Sequence, residues 1–180
     1  SLILPNTIET IENRAFEHCK NISSLNIPPS LKFIGQQAFN NCTSLTSINL
    51  NDNNNFIFEN GCLYNKEKTK IITYLSTNKQ TTFIIPETVK TIPIKCFEYC
   101  YELTNITIPL NETRVIYGNK IFNNQSHFNQ SIRLPSSIKI INGKEVNIFS
   151  ITIPSHVTSI DNNCFKDCNY IKQLQLPEAE

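Results

Sequence analysis

The chain has 180 residues, 17% of them charged, and a formal net charge of +1. So low and balanced a charge excludes the basic patch that non-specific binding to nucleic acid or to an anionic membrane surface requires. No apolar run approaches the roughly 20 residues of a membrane-crossing helix, and the length fits one ordinary domain.

From residue 5 onward the chain repeats. Residues 5–27 read PNTIETIENRAFEHCKNISSLNI and residues 28–50 read PPSLKFIGQQAFNNCTSLTSINL. They align without a gap, Pro5 on Pro28, Ile8 on Leu31, Ile11 on Ile34, Phe16 on Phe39, Cys19 on Cys42 and Leu25 on Ile48. The same 23-residue frame returns at 86–108 and 154–176. A period of this length signals a solenoid, in which each coil buries its apolar face only against its neighbours.

Each coil closes on an alternating run before its Pro, the period of a strand. Such ends fall at Leu4, Ile27, Leu50, Ile85, Ile108, Leu134, Ile153 and Leu176. Strands recurring once per coil predict a parallel sheet of eight, about 35 Å long at about 4.8 Å per strand. After the Pro come two aliphatic positions three apart, then a residue suited to a helix start (Glu12, Gly35, Pro93, Asp161), then [AC]-F-x-x-C. Phe and Cys three apart share one helix face. The expectation is therefore an α/β repeat, with strands on one side, a short helical turn on the other, and Phe16, Phe39, Phe97 and Phe165 stacked as an internal spine.

Three coils depart from the frame. Residues 51–85 open with NDNNN, the one low-complexity patch, and continue with FIF, CLY and IITYL runs separated by ENG and NKEKTK. Those signals predict a β-hairpin or extra strand pair in place of the helical turn. Residues 109–134 carry VIY and IF runs, and 135–153 lack AF-x-x-C. The reading is one domain over 1–180 with coils at about 5–27, 28–50, 51–85, 86–108, 109–134, 135–153 and 154–176. It starts and stops in mid-frame without a polar cap, as a segment of a longer protein would.

The pattern P-x-x-[LIV]-x-x-I-x-x-x-[AC]-F-x-x-C-x-x-[LI]-x-x-[LI]-x-[LI] resembles the BspA-like leucine-rich repeat, and NGCLYN in the long third coil is similar to that family's hairpin variant. The resemblance covers nearly the whole chain. It implies a leucine-rich repeat solenoid with a parallel sheet on its concave face and short helical turns on its convex face. It also implies the setting of that family, bacterial and protozoan surface proteins that adhere to host or matrix, without a shared catalytic set.

Candidate chemistry has a structural reading throughout. Seven cysteines, an odd number, fit no secreted disulfide framework. Cys96 with Cys100 and Cys164 with Cys168 have the count for a four-thiolate zinc site. The two pairs, however, lie three coils apart, about 14 Å, where zinc–sulfur bonds are about 2.3 Å. Stacked buried thiols and no metal are expected. Cys19 and Cys42 lie on adjacent coils, but their parallel side-chain vectors oppose a disulfide; the exposure of Cys62 stays open. His18, His127 and His156 accompany no nucleophile motif, metal motif or phosphate loop. Glu9, Glu12 and Glu17 read as a solvated convex face. Six N-x-[ST] sequons, at Asn21, Asn41, Asn105, Asn111, Asn124 and Asn129, stand against about four expected by chance in so Asn-rich a chain. No catalytic residue and no cofactor is expected.

The outward strand positions carry the functional expectation. Asn26, Asn49, Ile84, Asn105, Thr107, Arg133, Thr152 and Gln175 would line the concave sheet, where solenoids bind. Ile84 and Arg133 depart from the small polar rule on the strands that close the third and fifth coils, and the expected hot spot is there. The reading is a non-enzymatic binding module for protein or glycan, without nucleic acid and without membrane insertion, at the cell surface or secreted. The alternative is a cytoplasmic scaffold that docks an enzyme or regulator, which the unpaired thiols fit.

Overall fold

The structure is a computed structural model that describes residues 1–108 and 137–141 in full and, elsewhere, the backbone of eight short strands. In chain order the strands are β1 (Leu2–Ile3), β2 (Thr10–Ile11), β3 (Ser24–Asn26), β4 (Phe33–Ile34), β5 (Ser47–Asn49), β6 (Phe56–Glu59), β7 (Cys62–Asn65), β8 (Ile71–Tyr74), β9 (Thr82–Ile84) and β10 (Asn105–Thr107). They continue as β11 (Arg114–Tyr117), β12 (Lys120–Asn123), β13 (His127–Phe128), β14 (Ser131–Arg133), β15 (Ile140–Ile141), β16 (Lys144–Glu145), β17 (Ser150–Thr152), β18 (Ser159–Ile160) and β19 (Gln173–Gln175).

The first two coils stack through three sets of backbone bonds. β1, β3 and β5 form a parallel sheet in the register Ile3↔Asn26↔Asn49. β2 and β4 form a second, Thr10 on Phe33 and Ile11 on Ile34. On the convex arc, the N–H groups of Arg14, Phe16 and His18 donate to the carbonyls of Gln36, Ala38 and Asn40 at 2.9–3.0 Å. Those donors are the ones a helix would turn back on its own chain. The arc is thus a run of turns, held by i to i+3 bonds such as Cys19 N–H to Phe16 O (3.1 Å), and no helix occurs among the described residues. The helical turn expected on the convex face is therefore not found in these coils. The cause is visible in the backbone: Arg14 and His18 sit at φ 60° and 65°, Gln37 and Asn41 at 58°, and a left-handed residue every fourth position cannot continue a right-handed helix. At Gly35 the coils come so close that a Cβ would stand 2.6 Å from the carbonyl carbon of Glu12, a contact only glycine allows.

Inside, Leu25, Ile27, Leu31, Ile34 and Leu45 are fully buried and close a first apolar core. The asparagine run is part of its seal. Asn53, buried, donates through Nδ2 to the carbonyls of Pro28 (2.6 Å) and Leu31 (2.8 Å), and its Oδ1 accepts from Asn55 N–H (2.8 Å). Asn51 and Asp52 take φ 45° and 64°, a conformation Asn and Asp tolerate better than most residues. What looks like low complexity is a fitted turn.

The third coil is built differently. β6, β7 and β8 form an antiparallel meander. Asn60 (φ 50°) and Gly61 (φ 75°) make its first turn, both left-handed as a two-residue hairpin requires. Side chains on β7 and the β8 segment alternate between two cores. Leu63, Ile72 and Leu75 enter the first; Cys62, Tyr64, Ile71 and Tyr74 enter a second, with Phe83, Val89, Phe97 and Leu103. With both faces buried, the meander stands across the solenoid as a wall.

Two expectations break at this wall. Phe16 stacks on Phe39 (centroids 5.5 Å, planes 4° apart), but Phe97 packs instead on Tyr74 (5.4 Å) and Phe83 (5.9 Å). The aromatic spine is two clusters, because β8 supplies Tyr74 where the frame supplied a Phe; Phe165 lies outside the described residues. Nor do the described strands form one eight-stranded sheet. β5 ends the first ladder, and β9, β10, β15 and β16 form another. β14, expected beside β10, pairs antiparallel with β12, while β15 takes the place beside β10. Ser137 Oγ fixes that return by donating to Leu103 O at 2.8 Å. β17 and β19 pair in parallel, as do β13 and β18.

Candidate functional site

The concave face is described in two pieces. On the first, Ile3, Asn26 and Asn49 stand in register, one row over from Ser24 and Ser47. On the second, Thr82 pairs with Asn105 and Ile84 with Thr107. The residues between them on each strand, Leu25, Ile48, Phe83 and Ile106, are buried, so strand alternation turns these polar positions outward. Ile3 is 75% exposed and Ile84 65%. The side chains of Asn26, Asn105 and Thr107 make no hydrogen bond among the described residues, and only Asn49 is engaged, its Oδ1 accepting from Asn51 N–H at 3.1 Å. The face therefore offers uncharged donors and acceptors beside two exposed aliphatic side chains.

Three of the expected residues lie apart from this. The backbone of Arg133 pairs with Lys120 in the antiparallel β12–β14 ladder, so Arg133 does not stand next to Thr107 in the sheet. Thr152 pairs with Gln175. The side chains of Arg133, Thr152 and Gln175 lie outside the described residues. The expected Ile84–Arg133 hot spot thus keeps Ile84 on a parallel ladder and puts Arg133 on a different sheet.

The thiols behave as packing. Cys19, Cys42, Cys62, Cys96 and Cys100 are all free, and Cys62 is completely buried. Burial pushes the Cys62 thiol up to about 12, against a smaller lowering by Tyr64. Burial pushes Cys100 to about 12 and Cys42 to about 11. A thiol held protonated is a small hydrophobe, not a nucleophile. Among the described residues no group of three or more metal-ligating side chains gathers, and Cys164 and Cys168 lie outside them. His18 is exposed and accepts or shares a bond with the Asn41 amide (2.7 Å); the side chains of His127 and His156 are not among the described residues.

Glu17 is the correction among the carboxylates. Glu9 and Glu12 are exposed, but Glu17 has a side chain only 14% exposed and accepts from Asn40 Nδ2 at 3.0 Å. That bond, with the Lys95 ammonium 3.8 Å away, holds its carboxyl below the usual range. Its equivalent one coil on is Asn40, a neutral donor, and the ladder is made by that substitution. The repeat alignment contained the signal.

A stack of short parallel ladders, with inward aliphatic rows recurring every 23 residues, defines a leucine-rich repeat solenoid. The family model for the BspA type leucine rich repeat region matches in six copies, over residues 1–80 and 73–179. The chain belongs to that family.

Solved structures share the fold. A leucine rich cell surface protein from Faecalibacterium prausnitzii A2-165 superposes with a TM-score of 0.64 at 18% identity, over 98% of this chain and 53% of its own. The pneumococcal vaccine antigen PcpA gives 0.62 at 19%, over 96% and 43%. A leucine-rich repeat protein from Eubacterium ventriosum gives 0.53 at 25%, over 96% and 41%. The chain spans about half the length of these proteins or less. No curated protein sequence matches it. Among the described residues no helix is long and apolar enough to cross a membrane.

Proposed function

We propose that the chain is a non-enzymatic binding module that presents its concave sheet to a protein or glycan. The observation that carries this reading is the outward row Asn26, Asn49, Ile84, Asn105 and Thr107. Most of its polar groups are unengaged, and an aliphatic side chain stands exposed in its midst. Ile84 stands exposed at the position that Asn26, Asn49, Thr107 and Thr152 hold on other strands. Arg133, Thr152 and Gln175 extend the proposed surface. The setting proposed is the cell surface, with adhesion as the use: one neighbour in fold is described as a cell surface protein and another as a vaccine antigen.

The test is a pull-down with the wild type, Ile84→Glu and Arg133→Glu, each first checked for an unchanged melt. Loss of the same partner in Ile84→Glu supports the concave face, and identical recovery with the wild type and both variants sinks it. A cytoplasmic scaffold is the second reading, favoured by five free thiols among the described residues, of which three are buried. Every cysteine reduced in protein from its native source would favour it over the surface setting.

A further inference from the structure

Three coils meet on one carboxylate. Glu17 lies on the convex arc of the first coil, with a side chain 14% exposed. Its Oε1 accepts from Asn40 Nδ2 of the second coil at 3.0 Å. The same oxygen stands 3.8 Å from the Lys95 ammonium of the fourth coil. His18 Nε2 is 3.9 Å from it, and Arg14 Nε is 3.7 Å from Oε2. Asn40 is the neighbour the frame supplies, one period on from residue 17. Lys95 is not: it is the equivalent of Arg14 and Gln37, three coils beyond the first. It reaches Glu17 because the third coil has no arc. β8 runs there instead, as the floor of a recess of about 30 Å³ between the second arc (Gln37, Asn40, Cys42) and the fourth (Lys95, Tyr99). Lys95 spans that recess.

We propose that Glu17 and Lys95 form a strap across the convex side of the wall, which makes the arcs of the first and fourth coils open together. A repeat array couples each coil to its neighbours alone. Among the described residues no backbone hydrogen bond joins the second arc to the fourth, so what crosses the recess on this side is the Lys95 ammonium. Glu17 is suited to hold it. Its carboxyl stays charged chiefly through the Asn40 bond, then through Lys95 and Arg14, against the opposing effect of burial. Being mostly withdrawn from water, this carboxylate is screened less than the exposed Glu9–Lys32 pair. The strap lies on the opposite side of the solenoid from the concave sheet, and the proposal stands independently of that one.

Amide exchange on the full chain is the test. Cys96, Glu98 and Cys100 donate to the carbonyls of Pro93, Lys95 and Phe97 at 3.0–3.2 Å, so their exchange reports opening of the fourth arc. Glu17→Gln keeps an acceptor for Asn40 but removes the charge. It should speed exchange at all three about threefold, the size expected of a partly exposed ion pair. Lys95→Gln should do the same, and the variant carrying both changes should exchange no faster than either alone. Glu9→Gln cuts an exposed pair of the same first coil (2.8 Å) and should leave the fourth arc unchanged. Exchange there that ignores Glu17→Gln, that responds equally to Glu9→Gln, or that multiplies in the double variant overturns the strap. If a variant does not fold, the wild type decides by itself. Its exchange at Cys96, Glu98 and Cys100 should rise about threefold toward about 1 M salt, where screening acts over about 3 Å, and no rise overturns the proposal.

Discussion

The two coils at 5–50 and the coil at 51–85 bury the same kinds of side chain along different directions. In the first two, aliphatic rows point inward toward the axis of each coil, and backbone groups bond forward to the next. In the third, strands β7 and β8 point their side chains along the stack, some toward residues 4–48 and some toward 83–141. The regular coils pass hydrogen bonds on and the wall passes packing on. That is why the sheet and the aromatic spine both stop there although the sequence frame resumes at Pro86. A repeat array is a chain of nearest-neighbour interfaces, and this one has an interface of a second type in its middle.

The largest consequence concerns the two phenylalanines the frame treats as equal. Phe97 is fully buried against Tyr74 and Phe83, while Phe16 is half-buried at the start of the stack. Phe97→Ala should cost about 3–5 kcal/mol. Phe16→Ala should cost less, about 2–3 kcal/mol, since a partly exposed ring has less apolar area to lose. Urea denaturation of the full chain gives both; equal losses would restore the single spine.

The wall's two faces can be separated in the same way. Leu63→Ala and Ile71→Ala each remove a buried aliphatic group and should each cost about 2–4 kcal/mol. Exchange should accelerate at residues 25–48 in the first variant and at 83–106 in the second. Acceleration on both sides in either variant would show that the wall does not partition the core.

The period, the strand rows, the buried Phe and Cys positions and the hairpin signals at Asn60-Gly61 were all legible in the chain, because each is a local pattern imposed by neighbour-to-neighbour stacking. The helical turn was misread for a physical reason. Phe16 and Cys19 three apart satisfy a helix face and a turn equally, and only the left-handed φ at Arg14 and His18 separates the two. Arg133 shows the other limit. Its strand has the right alternation, but alternation does not choose a partner, and β12 competes with β10 for β14. Asn53 was hidden by its neighbours, since NDNNN looks alike at every position while only one amide reaches Pro28 and Leu31.

Asn53 therefore gives a sharper, smaller test of how the second coil is sealed against the third. Asn53→Ala removes three hydrogen bonds and strips two carbonyls of this donor; Leu31 O keeps Asn55 Nδ2 at 2.9 Å. The expected loss is about 1–3 kcal/mol, visible as a lower denaturation midpoint. Asn55→Ala, which leaves Asn53 in place, should cost less. The reverse order would shift the seal from residue 53 to residue 55.

The smallest effect separates the wall's thiol from its other contacts by pH. Cys62 lies on the wall, and burial raises its thiol to about 12, against about 8.5–9 in an unfolded chain. Above pH 9 the unfolded chain gives up this proton and the folded chain keeps it, so the unfolded state binds fewer protons and stability falls as pH rises. The contribution is intact below pH 9 and is lost progressively as pH climbs toward 12. At pH 9.5 the loss is about 1 kcal/mol for this one thiol. Cys62→Ala cannot ionise there, so between pH 7.5 and 9.5 its denaturation midpoint should fall less than that of the wild type, whatever its stability at pH 7.5. Parallel falls in the two proteins would mean that the Cys62 thiolate is tolerated in the fold, and that the second core admits water at the wall where the first two coils do not.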